Sequence, residues 1–233
     1  FFYKQMTECF SEIFAQSQLD RERIITLTNR NIKFIGNLKL SSGSNFQQIS
    51  LGKKLINFKK GKTLMLASTH ENEELQFLPT IKRLLFQVGG LKIIIAPRHP
   101  ERSKTIQSIY QKSGISAKLV SDSTYNNDDV LIVNTFGNLP AYFDISDIVF
   151  LGGSFVSKGG HNPIEPAINN CVIVTGPHVY NWQNIYEDMI KNNACFMFNK
   201  MSILEKKIKK LFEDNNEMNK MKKNSKKITQ KNF

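Results

Sequence analysis

From residue 62 onward, apolar runs of strand length alternate with segments of helical spacing, and this alternation restricts the fold more than any other feature. Leu64-Met65-Leu66-Ala67, Leu91 to Ala96, Val130 to Val133, Ile148 to Leu151, Val172-Ile173-Val174 and Cys195 to Phe198 read as strands buried on both faces. Glu73 to Val88 places Leu75, Leu78, Ile81, Leu84 and Leu85 along one helical face and stops at Gly89-Gly90. Glu101 to Lys112, Leu139 to Ile145, a segment opened by Pro163, Trp182 to Lys191 and Met201 to Lys210 read as further helices. The pattern predicts an α/β fold, a Rossmann-like, doubly wound parallel sheet with helices on both faces. In such a sheet ligands sit at the carboxyl ends of the strands.

Polar residues fall at those ends. Ser68-Thr69-His70-Glu71 follows the first strand and Pro97-Arg98-His99-Pro100 the second. Asn134 to Asn138 follows the third, and Thr175-Gly176-Pro177-His178, with Asn181 shortly after, follows the Val172 strand. The richest such segment runs from Gly152 to Pro166, after the Ile148 strand. Two glycine pairs allow sharp bends and close approach of backbone to a ligand. Asn162 then reads as an N-cap and Pro163 as the first helical residue. A strand, a glycine-rich loop and a helix start together suit an anion, usually a phosphate. Glu165 could accept from a sugar diol beside that phosphate, or, as the Glu of a capping box, bond back to the cap. The chemistry indicated is nucleotide or nucleotide-sugar binding.

Arg98 stands between two prolines that stiffen its turn. Its strand-end position favours a phosphate contact over a surface pair with Glu101. His161 and His178 flank the expected phosphate as hydrogen-bond donors or acids, or are satisfied within the fold. Asn181 serves as a contact or as a helix cap. His70 beside Glu71, Glu73 and Glu74 resembles a metal site, but no second His has ligand spacing and acids at a helix start already favour the dipole, so no metal is expected. Ser154 lacks the Gly-x-Ser-x-Gly elbow of a serine nucleophile. Dinucleotide Gly-x-Gly-x-x-Gly and Walker loops are absent as well, which argues against oxidoreductase and NTPase chemistry.

The 233 residues are 40% hydrophobic with seventeen Phe, enough for an aromatic core. No apolar run reaches bilayer-spanning length. Cys9, Cys171 and Cys195 are odd in number and far apart, which argues against a disulfide framework and points to a reducing compartment. The net charge is +12, with Lys206, Lys207, Lys209, Lys210, Lys220, Lys222, Lys223, Lys226, Lys227 and Lys231 crowding the end. Such a run is a solvated helix face or frayed end, or a patch attracted to an anionic membrane surface. No RNA-reading aromatic motif accompanies it, so nucleic acid is not an expected partner. Near the start, Phe10 to Leu27 carries helical spacing through Phe10, Ile13 and Phe14, and Ile32 to Ile35 reads as a short strand. Phe1 to Met6 shows neither an initiator Met nor a signal peptide, so the chain is expected to be a piece of a longer protein.

Taken in order, Gly36-Asn37-Leu38-Lys39, Ala67 to Glu74, Pro97 to Arg102, Gly152-Gly153-Ser154, Gly159 to Pro166 and Gly176-Pro177-His178 resemble the C-terminal half of the 3-deoxy-D-manno-octulosonic acid (Kdo) transferases. These are the lipid A glycosyltransferases of Gram-negative bacteria. The resemblance runs from about Ser11 to Asn192. It implies the C-terminal, donor-binding domain of a two-domain GT-B enzyme that moves Kdo from CMP-Kdo to a lipid A precursor without metal or other cofactor. It also implies CMP contacts at Pro97, Arg98, Phe136, Gly137, Asn138, Asn162, Pro163, Ile164 and Glu165; apart from the resemblance, Ser154, His161, His178 and Asn181 are candidates for further donor contacts. The family usually has carboxylates where this chain has Asn134 and Asn138. Its catalytic base is a glutamate of the N-terminal, acceptor-binding domain, so no catalytic residue is expected in this chain, which should bind donor but not transfer sugar alone. The implied location is the cytoplasmic face of the bacterial inner membrane. The alternative function is a nucleotide-sugar-binding module without transfer activity. The expected division is 1–40 as the end of a preceding domain and interdomain segment, 41–61 as linker or mobile loop, 62–212 as the donor-binding domain and 213–233 as a Lys-rich tail.

Overall fold

A computed structural model describes residues 2–16, 18–35, 61–122, 128–137 and 139–231. Residues 41–60 of the expected linker, the Gly36–Lys39 motif and Asn138 lie outside the described residues. The chain divides into two compact units, 1–47 and 48–232. The first holds α1 (Phe2–Glu8), β1 (Phe14–Ala15), α2 (Gln18–Thr28) and β2 (Lys33–Phe34), with β1 and β2 parallel. The helix expected from Phe10 therefore starts only at Gln18. Arg30 explains the difference. Its guanidinium donates to the carbonyls of Thr7, Phe10 and Ser11, and so gathers that stretch into a turn ahead of β1.

In the second unit β3 (Lys62–Thr69), β4 (Leu91–Pro97), β5 (Ala117–Leu119), β6 (Val130–Ile132), β7 (Ile148–Leu151), β8 (Val172–Thr175) and β9 (Cys195–Met197) form one parallel sheet, ordered β5-β6-β4-β3-β7-β8-β9. The doubly wound expectation is met. Within β3, Leu64 and Leu66 enter one buried cluster with Phe77, Ile81, Leu84, Phe150 and Phe198. Met65 and Ala67 enter the opposite cluster with Leu131, Val149, Ile173 and Tyr186. Both faces of the strand are thus dry, which is why it reads as an unbroken apolar run. Phe77 and Phe150 pack with ring centroids 4.4 Å apart, a pair worth about 1 kcal/mol beyond its buried area.

The helices are α3 (Glu73–Gln87), α4 (Ser103–Lys112), α5 (Leu139–Phe143), α6 (Ile164–Ile168), α7 (Gln183–Lys191), α8 (Met201–Glu213) and α9 (Asn215–Lys231), with single 3₁₀ turns at Pro100–Arg102 and Tyr180–Trp182. In α3 the buried side is phased by Glu73, Phe77, Ile81 and Leu84, while Leu75, expected inside, is 53% exposed. The carboxylate of Glu73 sets that phase, for reasons given below. β5 escapes a sequence reading because Ala-Lys-Leu is short and breaks no polar pattern; it is pinned at the edge by pairing Ala117 to Val130.

Residues 215–231, expected as a tail, form a helix packed against α6, α7 and β8. Asp214 Oδ1 caps it by accepting from the amides of Asn216 and Glu217, both at 3.0 Å. Met218, Met221, Ser225, Ile228 and Thr229 are buried, whereas Lys220, Lys223, Lys226 and Lys227 face solvent. Lys222 reaches Asp147 at 3.1 Å and ties α9 to the segment entering β7. Among the described residues no helix is long and apolar enough to cross a membrane.

Candidate functional site

β3 is the central strand, and the chain winds outward from it in both directions: β4, β5 and β6 lie on one side, β7, β8 and β9 on the other. The crevice between the carboxyl ends of β3 and β7 is therefore the topological switch point, where ligands bind in folds of this kind. The site builds up around it.

Its floor is a carboxylate. Glu73, with no solvent exposure, accepts from the amides of His70 (2.9 Å), Gly153 (2.8 Å) and Phe155 (3.0 Å). One side chain thus stitches the turn after β3 to the loop after β7. Burial raises its pKa, the three amide bonds oppose the rise, and the neighbouring Glu74 adds to it. Glu74 is engaged too: Arg102 grips it through two bonds of 3.1 and 2.8 Å, and Thr69 Oγ1 donates to it at 2.6 Å. These two acids, read from sequence as helix-dipole residues, are the rivets of the crevice.

The glycine-rich segment fits its place for steric reasons. Gly152 crosses the end of β3 so closely that a Cβ there would lie 2.3 Å from the Ser68 carbonyl oxygen. Gly159, at φ +87°, packs under Asn181 and Tyr180, whose atoms a Cβ would meet at 2.4 and 2.5 Å. Asn181 holds the loop directly, its Nδ2 donating to the Lys158 carbonyl (3.0 Å) and its amide to Gly159 (3.0 Å). Ser154 is fully buried; its hydroxyl donates to Leu151 O (2.5 Å) and accepts from Gly176 N (2.9 Å), while its carbonyl accepts from His178 N (2.9 Å). Ser154 and Asn181, expected as donor contacts, act here as staples of the loop.

The helix start differs from expectation. α6 begins at Ile164 and has only five residues, with Pro163 just outside it. Asn162 Oδ1 accepts from Ile164 N (3.0 Å) and its Nδ2 donates to Glu165 Oε1 (3.3 Å), a bond between side chains and not the capping-box return to backbone. Pro163 and Pro166 carry no N–H and that of Ile164 is taken, so this first turn has few donors left for an anion.

Above the floor stand imidazoles and cations. Nε2 of His70 lies 3.0 Å from Nε2 of His161, with the rings nearly parallel at 10°. The His99 ring stands edge-on to His70 at 6.3 Å. Burial pushes the His161 pKa down to about 4, and the charges of His70 and Arg98 push the same way. Burial also lowers His70, helped by His99, Lys158, Arg98 and Arg102. Arg98, anchored by its amide on Thr69 O (2.9 Å) and otherwise exposed, thus belongs to one electrostatic cluster with His161. Pro97 is buried at the end of β4. Phe136, 77% exposed, and Gly137 lie on the loop after β6, on the far side of β4 from the histidine pair. Asn134 anchors that loop to Ser121 through bonds of 2.8 and 3.2 Å.

The sequence reading set His70 at a strand end without giving it a role in the site, and passed over Lys158 and Arg102. The missing fact was strand order: once β3 is central, the residue closing it must face the glycine loop.

The fold of the second unit is that of C-terminal domains of GT-B glycosyltransferases. It is similar to the C-terminal CMP-Kdo binding domain of WaaA from Acinetobacter baumannii, with 27% identity and a TM-score of 0.70 over 74% of this chain and 91% of that domain. In sequence the chain is a homologue of the 3-deoxy-D-manno-octulosonic acid transferases. That of Rickettsia bellii is 33% identical over 99% of this chain and 56% of its own length. That of Haemophilus influenzae is 29% identical over 78% of this chain and 44% of its own. The chain spans about half the length of the curated relatives it matches. No protein-family model matches it.

Proposed function

We propose that this chain is the donor-binding half of a Kdo transferase, acting in the transfer of Kdo from CMP-Kdo to a lipid A precursor in lipopolysaccharide synthesis, without a metal. The observation that carries the reading is the meeting of Arg98, His161 and the glycine loop at the β3–β7 switch point, in a chain homologous to such transferases. Arg98, beside the turn formed by Asn162, Pro163 and Ile164, would stabilise the charge on the phosphate of departing CMP; Glu165 has a second carboxylate oxygen to accept from ribose hydroxyls. Pro97, Phe136, Gly137 and Asn138 would border the nucleoside, and His178 would donate from the loop after β8. Transfer is proposed to require the acceptor-binding half, to which the resemblance assigns the base.

We place this work at the cytoplasmic face of the inner membrane. The exposed lysines of α9 support attraction to an anionic surface.

Calorimetry with CMP tests the site. Saturable binding is expected, weakened about tenfold or more by Arg98→Ala through loss of a charge-assisted contact. Equal binding by wild type and variant would remove Arg98 from the site, and absence of CMP binding would end the reading.

A further inference from the structure

We propose that His70 and His161 form a proton-coupled anion latch: the two imidazoles share one hydrogen, and entry of a phosphate group is accompanied by uptake of one further proton, so that each ring can donate an Nε2–H to it. The inference rests on the phosphate site proposed above and deepens it.

The geometry states the constraint. At 3.0 Å apart, one Nε2 donates and the other accepts; two N–H groups cannot face each other there. The backbones on either side are fixed. The His70 amide is bound by Glu73, and the His161 carbonyl accepts from Tyr186 OH at 2.9 Å. The rings can turn while these anchors hold.

The surroundings supply the coupling. From the segment after β4, Arg98 and His99 face the pair; Arg102 acts from the 3₁₀ turn and Lys158 from the glycine loop. Glu73, below, is engaged by three amides, and Glu165 on α6 is bonded to Asn162. The groups acting electrostatically on the two rings are therefore cations, which resist a second proton. An anion reverses that balance. The first turn of α6, left with few donors by Pro163, Pro166 and the Asn162 bond, passes most of the task to side chains. One proton leaves solvent for the unprotonated Nε2, the ring-to-ring bond breaks, and two N–H···O bonds to phosphate replace it.

The test uses CMP methyl ester, a phosphodiester with no second proton of its own to titrate. Binding is followed by calorimetry from pH 8.0 to about 5.5 in buffers of different ionisation enthalpy, with the histidine ring resonances followed by NMR. Affinity is expected to rise as pH falls, approaching about tenfold per pH unit where one proton is linked. Ring resonances should move to imidazolium positions on saturation. His161→Gln and His70→Gln, checked for folding by circular dichroism, should flatten the pH dependence whatever their affinity at pH 8. Saturable binding with no pH dependence and neutral rings would overturn the latch and leave the phosphate site standing, as would variants that keep the wild-type slope. No saturable binding at any pH would overturn both.

Discussion

The α-carbon of Gly152 lies against the backbone of Ser68, so closely that a methyl group at 152 would fall 2.3 Å from the Ser68 carbonyl oxygen and 2.6 Å from the α-carbon of Thr69. Both obstacles are backbone, and neither can rotate away. Ser68 itself sits at φ +54°, within the register shift that precedes the last β3–β4 pair, Thr69 with Pro97. Close approach of β3 and β7 at their carboxyl ends depends on this contact, and so does the seating of the histidine pair above it.

Gly152→Ala is accordingly expected to destabilise by about 3 kcal/mol, the range of an overpacked site that cannot relax. Urea unfolding followed by circular dichroism measures it. A change below about 0.5 kcal/mol, the level of an ordinary surface substitution, would show that the two strand ends can part at little cost.

Glu73→Gln keeps the shape but supplies one acceptor oxygen for three amide donors and turns an NH₂ toward the others. A loss of about 2 kcal/mol or more is expected, in line with unsatisfied buried donors. The same variant should disorder the histidine pair, since Glu73 holds both loops that carry it. Loss of the His70–His161 coupling in ring NMR spectra would report this, and an unchanged spectrum would contradict it.

His161 makes stability depend on pH. Its folded pKa is depressed to about 4 from an ordinary 6.5. The unfolded chain therefore binds the proton first as pH falls, and stability present above 6.5 is lost progressively toward 4. The full shift corresponds to about 3 kcal/mol, reduced to about 2 by the partial exposure of the ring. Glu73, whose pKa is raised, acts oppositely in a window above 4.5. Comparing wild type with His161→Gln isolates the histidine, because both proteins keep Glu73. The variant should lose less stability between pH 7 and 5; parallel curves would contradict the assignment.

The outer face of α9 separates from its inner face in a further test. Reversing Lys220, Lys223, Lys226 and Lys227 to Glu should leave thermal unfolding within a few degrees of wild type, since all four are exposed. It should abolish cosedimentation with vesicles rich in anionic lipid, which wild type is expected to show and to lose in high salt. Met221→Ala, on the buried side, should instead cost about 2 to 3 kcal/mol of stability. Equal vesicle binding by the reversed protein would remove α9 from any membrane contact.

Some of this is legible in the sequence. Leu64 to Ala67 and Ile148 to Leu151 can only be strands buried on both sides, because nothing in them offers a wet face. Gly152, Gly159 and the Asn162–Glu165 segment announced a loop shaped for close approach. Other features were hidden by sequence distance. Ser154 looked like a ligand contact and proved a buried staple, because its partners Leu151 and Gly176 are fixed only when β7 and β8 pair. Leu75 looked internal and is exposed, because the amide-bound Glu73 rotates α3 toward Phe77. The lysine-rich end looked like a tail, although Met218, Met221 and Ile228 fall at helical spacing, because ten lysines from Lys206 on dominate its composition.

Local chemistry thus determined most elements of the sheet and its layers, the parallel sheet and the polar strand ends, since propensity, hydrophobic period and glycine steric freedom act within a few residues. Tertiary structure alone decided that β3 is central, that His70 meets His161 across 91 residues at 3.0 Å, and that Glu73 binds Gly153 and Phe155. Those contacts arise from strand order, and strand order is a property of the whole packed sheet, which no single stretch of sequence encodes.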